Sequence, residues 1–320
     1  MSRIVQCVPN ISEGKDLSKI NYIIEPLKNQ EGFKFISAEP DQNYHRTVIT
    51  LIGDPEAMIE PLMTFVDRAR EKIDLNHHQG EHPRMGAVDV LPFIPISGIQ
   101  IDECINYANL VGEKIANKYD IPVFLYAKAA KQGNRVNLPD IRKGEFEGMK
   151  DKIQEDEWIP DFGPRHIHPT FGCLAVGARI PLIAYNIDLN TKDEKIASSI
   201  AKAIRQSSGG FQYIQAGPAF LEDKGFVQVT MNILDFKKNP IYRILETVKM
   251  EAKRYHIDVM SSEIVGLLPK ETLTDSIKYY EQVLDIPFKK DMSFQEITDK
   301  AIKYIGLRDF DVYKIIEANL

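Results

Sequence analysis

At 320 residues, with 43% hydrophobic and 27% charged side chains, the chain has the make-up of a globular protein with room for about two domains. A net charge of −6 argues against a general nucleic-acid binder and leaves only a local basic pocket open. Cys7, Cys104 and Cys173 lie far apart with no CxxC pair, so neither a disulfide framework nor a zinc knot is signalled. The opening Met-Ser-Arg-Ile-Val-Gln has no apolar signal core, and no apolar run reaches transmembrane length, so no membrane is expected and the cytoplasm is the expected compartment.

Taken in order, residues 3–8 alternate into a short strand stopped by Pro9. Ser12 is placed to cap a helix carrying Ile20, Ile23, Ile24 and Leu27. Residues 33–38 and 47–52 read as a hairpin across a polar turn. An amphipathic helix follows over 55–73, then a bent loop from His77, a strand over 87–96, a helix over 101–118 and a strand over 123–126. Residues 127–160 are charged, carry Pro139 and Pro160, and read as a helical excursion leading to a linker. The second half repeats the order. One long strand or two over 173–188 precede a helix over 191–206, a hairpin of 211–220 and 226–234 about Asp223-Lys224-Gly225, a helix over 240–255 and a strand over 259–267. Helical stretches over 270–284 and 293–305 and a tail come last. Two βαββαβ runs predict an α+β fold of two ferredoxin-like subdomains with sheets flanking a shared substrate cleft. The expected divisions are 1–178, 179–307 and the tail, 308–320.

The densest chemistry lies between His77 and Pro95. His77, His78 and His82 sit there beside Glu81, Arg84 and Asp89, while Gly80, Pro83 and Gly86 forbid a helix through the cluster. His78 and His82 have the i, i+4 spacing of a zinc pair, but Gly80 opposes the helix that would align them and no third ligand is evident, so no metal is expected. For His77 and His78 a solvated turn is the simpler reading. His82 directly precedes the buried strand, and an imidazole titrating near ~6.5 suits a group that must take and return a proton at neutral pH.

The run His82-Pro83-Arg84-Met85-Gly86-Ala87-Val88-Asp89-Val90-Leu91-Pro92-Phe93-Ile94-Pro95 resembles the signature of the formiminotransferase domain family. Val5-Gln6-Cys7-Val8-Pro9-Asn10-Ile11-Ser12-Glu13-Gly14-Lys15 is similar to the family's opening, as Asp161-Phe162-Gly163-Pro164 is to a later motif, and the resemblance covers roughly residues 1–307. It implies two subdomains, a homodimer, and transfer of a formimino group from N-formiminoglutamate to N5 of tetrahydrofolate in histidine breakdown, with small-molecule substrates, folate as co-substrate and no metal. In that chemistry the attacking nitrogen loses a proton and the departing nitrogen gains one, and the family's catalytic histidine falls on His82. Some members carry a fused cyclodeaminase domain, for which this chain has no length, so a stand-alone transferase is expected.

Around Glu39-Pro40-Asp41-Gln42-Asn43-Tyr44-His45-Arg46 the plain reading is a polar hairpin turn. The functional one has Arg46 holding a substrate carboxylate bidentately, a carboxylate of this stretch orienting His82, and Glu39 among the substrate-binding candidates. Related sequences carry Asn before this arginine, where His45 stands here. Arg84 joins the substrate-binding candidates, and Asn10 does so through the family opening. The resemblance assigns folate contacts to Gly163, Pro164, Arg165, His166, Ile167, His168, Pro169, Thr170, Phe171 and Gly172, a segment otherwise read as an interdomain linker. It assigns others to Gly209, Gly210, Phe211, Gln212, Tyr213, Ile214, Gln215, Ala216, Gly217 and Pro218. There Gly209-Gly210 also fits a helix C-cap, and Phe211 and Tyr213 suit stacking on an aromatic ring. Ser12-Glu13-Gly14-Lys15 is no phosphate loop, because Pro9 and Asp16 stand where glycine and Ser/Thr are required. Rival readings are a related transferase using 5-formyltetrahydrofolate or formiminoglycine, a folate-binding protein without turnover, and a metal-dependent hydrolase.

Overall fold

The computed structural model describes residues 3–222 and 224–320, which divide into two compact units, 1–179 and 180–320. In the first unit the chain runs β1 (Ile4–Cys7), β2 (Asn10–Ile11), α1 (Leu17–Ile24), β3 (Phe33–Asp41), β4 (Arg46–Gly53), α2 (Pro55–Lys72), β5 (Val88–Ser97), α3 (Ile101–Tyr119), β6 (Val123–Ala127), α4 (Leu138–Arg142), α5 (Glu145–Lys152) and β7 (Leu174–Ala178). β1 and β2 are one strand path broken at Pro9, and it lies between β4 and β5 with both pairings antiparallel. β3 flanks β4 on the outside, and β7 and β6 extend the sheet beyond β5 in parallel.

β5 is paired on both sides, which is why Val88 to Ile94 reads as a continuous buried run rather than an alternating one. Its Pro95 sits where the register against β1 slips, a place that tolerates a residue with no N–H. α1 starts later than its sequence suggests. Asp16 caps it by accepting from Ser18 N and Lys19 N, whereas the Ser12 hydroxyl donates to Gly86 O at 2.8 Å. Asp54 caps α2, Pro55 opens it, and its apolar stripe of Met58, Leu62, Phe65, Val66 and Ala69 is fully buried.

The second unit contains β8 (Ile183–Leu189), α6 (Glu194–Ile204), β9 (Ile214–Leu221), β10 (Phe226–Ile233), α7 (Ile241–Lys253), β11 (Val259–Val265), α8 (Lys270–Val283) and α9 (Phe294–Ile305). Its sheet is antiparallel throughout, in the order β11-β8-β10-β9. Residues 173–188 are therefore two strands in two different sheets, with β7 closing the first unit and β8 opening the second. Asp223, one of three residues expected at the β9–β10 turn, lies outside the described residues. Residues 308–320 pack into this unit. Ile315 and Ile316 are fully buried, and the Arg308 guanidinium donates to the fully buried Asp188 at 2.7 Å and to Glu263 at 2.7 Å. Gln228 and Ser261 complete the shell of Asp188, each at 2.6 Å. No described helix is long and apolar enough to cross a membrane.

Candidate active site

The His77–Ala87 loop carries no regular structure beyond a single turn at Leu75–His77, yet it is stitched to four separate segments. Glu81 N and His82 N donate to Asn43 O and Tyr44 O of the β3–β4 turn; Phe146 N donates to Arg84 O; Cys173 N donates to Met85 O; and Ser12 N donates to Ala87 O. Two glycines allow these close approaches. A Cβ on Gly86 would lie 1.9 Å from Cys173 O, and one on Gly80 would lie 2.5 Å from the His45 Cβ. The loop is bent, and these backbone bonds brace it along its length.

Within it His82 is 4% exposed, and neither ring nitrogen has a hydrogen-bond partner. Burial drives its pKa down to about 4. The Asp89 carboxylate pulls the other way, and Arg142, Arg46 and His78 add to the depression. At neutral pH the imidazole is therefore uncharged and able to accept a proton. Asp89 does not touch the ring. Its Oδ1 accepts from Met85 N at 2.8 Å, and its Oδ2 accepts from Arg142 Nε at 2.8 Å and from Arg142 Nη2. Arg46 lies half-buried over the Tyr44 ring at 5.1 Å, with its Nε buried and unpartnered. Burial and the like charge of Arg142 lower the Arg46 pKa.

His78 is buried rather than solvated, which overturns the turn expected from sequence; His77 is exposed. Arg84 Nε donates to His78 Nδ1 at 3.1 Å, so the His78 proton sits on Nε2, which donates to His45 O at 2.8 Å. The His78 and His45 rings stack at 4.2 Å. His45 in turn reaches Gln79 O at 2.8 Å and Glu13 Oε1 at 3.1 Å. Burial raises the Glu13 pKa, but the amides of Asp16 and Lys15 and the His45 ring outweigh it and leave the carboxyl below its usual range. The remaining donors of Arg84 go to Glu145 at 2.7 Å, Glu147 at 2.8 and 2.6 Å, and His78 O at 3.3 Å. All five of its N–H groups are thereby used. The structure gives Arg84 the part of an internal clamp between the loop and α5, with no donor left over for a substrate.

Strand register brings three of the other candidates together. Asn10 on β2 and Glu39 on β3 both lie opposite Val48 of β4, and Arg46 is two residues before Val48. Directly opposed residues share a sheet face, and so do residues two apart, so Asn10, Glu39 and Arg46 project from one face. Glu39 is exposed, bonded to the Ser37 hydroxyl at 3.0 Å rather than to His82. Asn10 donates to Val8 O at 3.3 Å.

In the 163–172 segment His168 pairs its backbone with Gly172, and its Nδ1 accepts from Phe171 N at 3.1 Å, closing a compact turn. Phe171 and Ile167 belong to the hydrophobic core, and the Arg165 guanidinium donates to Ile153 O and Asp156, so the exposed members are Gly163, Arg165, His166 and Pro169. In the 209–218 segment Gly209 adopts φ +89°, Ile214 is buried, Phe211 packs on the second core, and Lys238 lies over the Tyr213 ring at 4.6 Å. Gln212, Gln215 and Pro218 are exposed.

Arg142, Glu145 and Glu147 went unseen in the sequence. Each lies in the charged excursion, more than fifty residues from its partner, and nothing in that stretch marks one charge above another. No group of three or more His, Cys, Asp or Glu suited to a metal occurs among the described residues.

A buried, neutral imidazole with two free nitrogens, flanked by guanidiniums and held on a braced loop, is the equipment of an acid–base transfer enzyme. Residues 4–179 match the formiminotransferase domain, N-terminal subdomain, and residues 184–319 match the formiminotransferase domain. The chain is 44% identical over 290 residues to a protein of Streptococcus pyogenes serotype M1 named glutamate formimidoyltransferase, covering 91% of this chain and 97% of that one. It is 41% identical over 282 residues to a Thermoplasma acidophilum protein of the same name, covering 88% and 93%. Against the formimidoyltransferase-cyclodeaminase of Rattus norvegicus it is 37% identical over 286 residues, covering 88% of this chain and 53% of that one. The chain belongs to the formiminotransferase family.

Proposed function

We propose that the protein is a glutamate formimidoyltransferase, moving the formimino group of N-formimino-L-glutamate to N5 of tetrahydrofolate and releasing L-glutamate. The observation that carries this reading is His82, buried, uncharged at neutral pH and unpartnered at both nitrogens. The names and identities of the bacterial and archaeal relatives support it.

In this scheme N5 of tetrahydrofolate adds to the amidine carbon and the carbon–nitrogen bond to glutamate then breaks. His82 takes the N5 proton as the first bond forms and returns it to the departing glutamate nitrogen as the second breaks, so no proton is gained or lost overall. Neither step needs a covalent bond to the enzyme. Arg46, with its unpartnered Nε, donates to a glutamate carboxylate, and Asn10 and Glu39 on the same sheet face border that end of the substrate. The exposed polar members of 163–172 and 209–218 contact folate. The strand orders β5-β1-β4-β3 and β11-β8-β10-β9 support reading both units as ferredoxin-like.

The test is transferase activity with tetrahydrofolate and formiminoglutamate in wild type and His82→Ala. The expected result is conversion by wild type and a loss of ~10²-fold or more in the variant. Equal rates in the two would remove His82 from the mechanism. Folate binding without transfer would overturn the donor and direct screening to 5-formyltetrahydrofolate and formiminoglycine.

A further inference from the structure

The charges that act on His82 come from separate places: Asp89 from β5, Arg46 from β4, Arg142 from α4 and His78 from its own loop. Asp89 is the sole anion among them. A buried carboxylate beside an imidazole ordinarily bonds it and stabilises the imidazolium, which fills one nitrogen and leaves the ring protonated. Here both Asp89 oxygens are taken, one by Met85 N and the other by two donors of Arg142. Both His82 nitrogens are left bare.

We propose that Arg142 is a positioning residue of the transfer site: by engaging the Asp89 carboxylate it prevents an Asp89–His82 pair and leaves both imidazole nitrogens open to the reacting atoms. The inference rests on the reading of His82 as the proton carrier, and it gives the charged excursion a purpose. α4 is a five-residue helix, and α5 follows it after two residues. The two reach the loop and the strand that follows it, Arg142 on Asp89 of β5 and Glu145 with Glu147 on Arg84 of the loop. The first contact sets the charge around His82, and the second holds the loop that carries it.

The experiment is an NMR titration of the His82 ring in substrate-free protein, its signal assigned by its loss in His82→Ala. In wild type the midpoint is expected near pH 4. Arg142→Gln removes the cation and releases Asp89, and the midpoint is expected to rise by about one pH unit or more, with the acid limb of kcat/KM moving up alongside it. The double variant Asp89→Asn, Arg142→Gln removes the carboxylate too and is expected to return the midpoint to its wild-type position. Loss of the nearby positive charge alone would also raise the midpoint while leaving both ring nitrogens without a partner, so the ring 15N signals of Arg142→Gln are read alongside it: one nitrogen hydrogen-bonded to Asp89 is expected, and two unpaired nitrogens overturn the proposal. A His82 midpoint in Arg142→Gln within about 0.3 of wild type overturns the proposal, since one pH unit is the expected scale. Should that variant not fold, Arg142→Lys is read in its place. An ammonium grips Asp89 at a single point, so a rise of about half a unit is expected and no rise overturns the proposal. Because the titration contains no substrate, it separates the two readings. A shifted midpoint with no formimino transfer by wild type refutes the donor, and transfer with an unshifted midpoint refutes the role of Arg142.

Discussion

His82 is a polar group kept from water without compensation inside the protein, and that costs stability in a pH-dependent way. Its folded pKa of about 4 lies below the ordinary 6.5, so between those values the unfolded chain binds more protons than the folded one. Stability should therefore fall as pH drops from about 6.5 to about 4, by at most about 3.5 kcal/mol at about 1.4 kcal/mol per tenfold shift. Denaturant midpoints measured across that range should show the fall in wild type and a flatter profile in His82→Gln. A profile unchanged by the substitution would mean that His82 is charged or solvated in the folded protein. The position of His82 was legible in the sequence, because glycine and proline break the chain on both sides of it just before a long apolar run. Its partners were not. The Asp89–Arg142 contact spans 53 residues, and a lone arginine in a charged stretch has the same signature as any solvated surface. Arg84 misled for the same reason. It stands in the recognised motif, yet its donors serve two glutamates that the sequence places sixty residues away.

Elements were legible where their periodicity was long and their ends carried ordinary caps. α2 and α3 lie within a residue of their expected bounds, since a stripe of apolar side chains at helical spacing has few other ways to be buried. The start of α1 was missed because Ser12 and Asp16 are both good caps, and Ser12 is diverted to the His82 loop. The run over 173–188 left one strand or two open, for both halves are apolar, and the pairing of β7 with β5 and β6 and of β8 with β10 and β11 makes it two. The excursion over residues 128–160 is tied down by a buried arginine. Arg135 is 1% exposed and donates to Asp161 at 2.8 Å, Glu157 O at 3.1 Å and Ile159 O at 2.5 Å, while Asp161 also accepts from Leu125 N on β6. Removing one member of such a pair strands the other, so Arg135→Met should cost about 3–5 kcal/mol in thermal or denaturant unfolding. A cost below about 1 kcal/mol, the range of exposed pairs, would mean that the pair is open to water.

At the scale of the whole molecule, the two units repeat one strand order but complete it differently. The first adds β7 and β6 to its sheet; the second adds α8, α9 and the terminal residues to its core. Arg308 is the hinge pin of that terminal segment, since it neutralises a carboxylate with no exposure at all. Arg308→Met should destabilise the second unit by about 3 kcal/mol and open residues 308–320 to protease, with the first unit's melting unaffected. Resistance of that segment to cleavage in the variant would show that Ile315 and Ile316 suffice to hold it.

The place of β7 bears on how the protein is made. It is the last strand of its unit to leave the ribosome, yet it lies between β5 and β6, which are already complete by then. Until it arrives, those two strands present bare edges to any passing chain. The His82 loop meanwhile lacks two of its ties, the Cys173 N bond to Met85 O and the Ala87 N bond to Phe171 O. Nascent chains ending at residue 160 should be cut within residues 77–87 under brief proteolysis, and chains ending at residue 182 should not. The site is thus assembled late in the synthesis of its own unit, and a ribosome pausing across the excursion would hold the chain at its most aggregation-prone length.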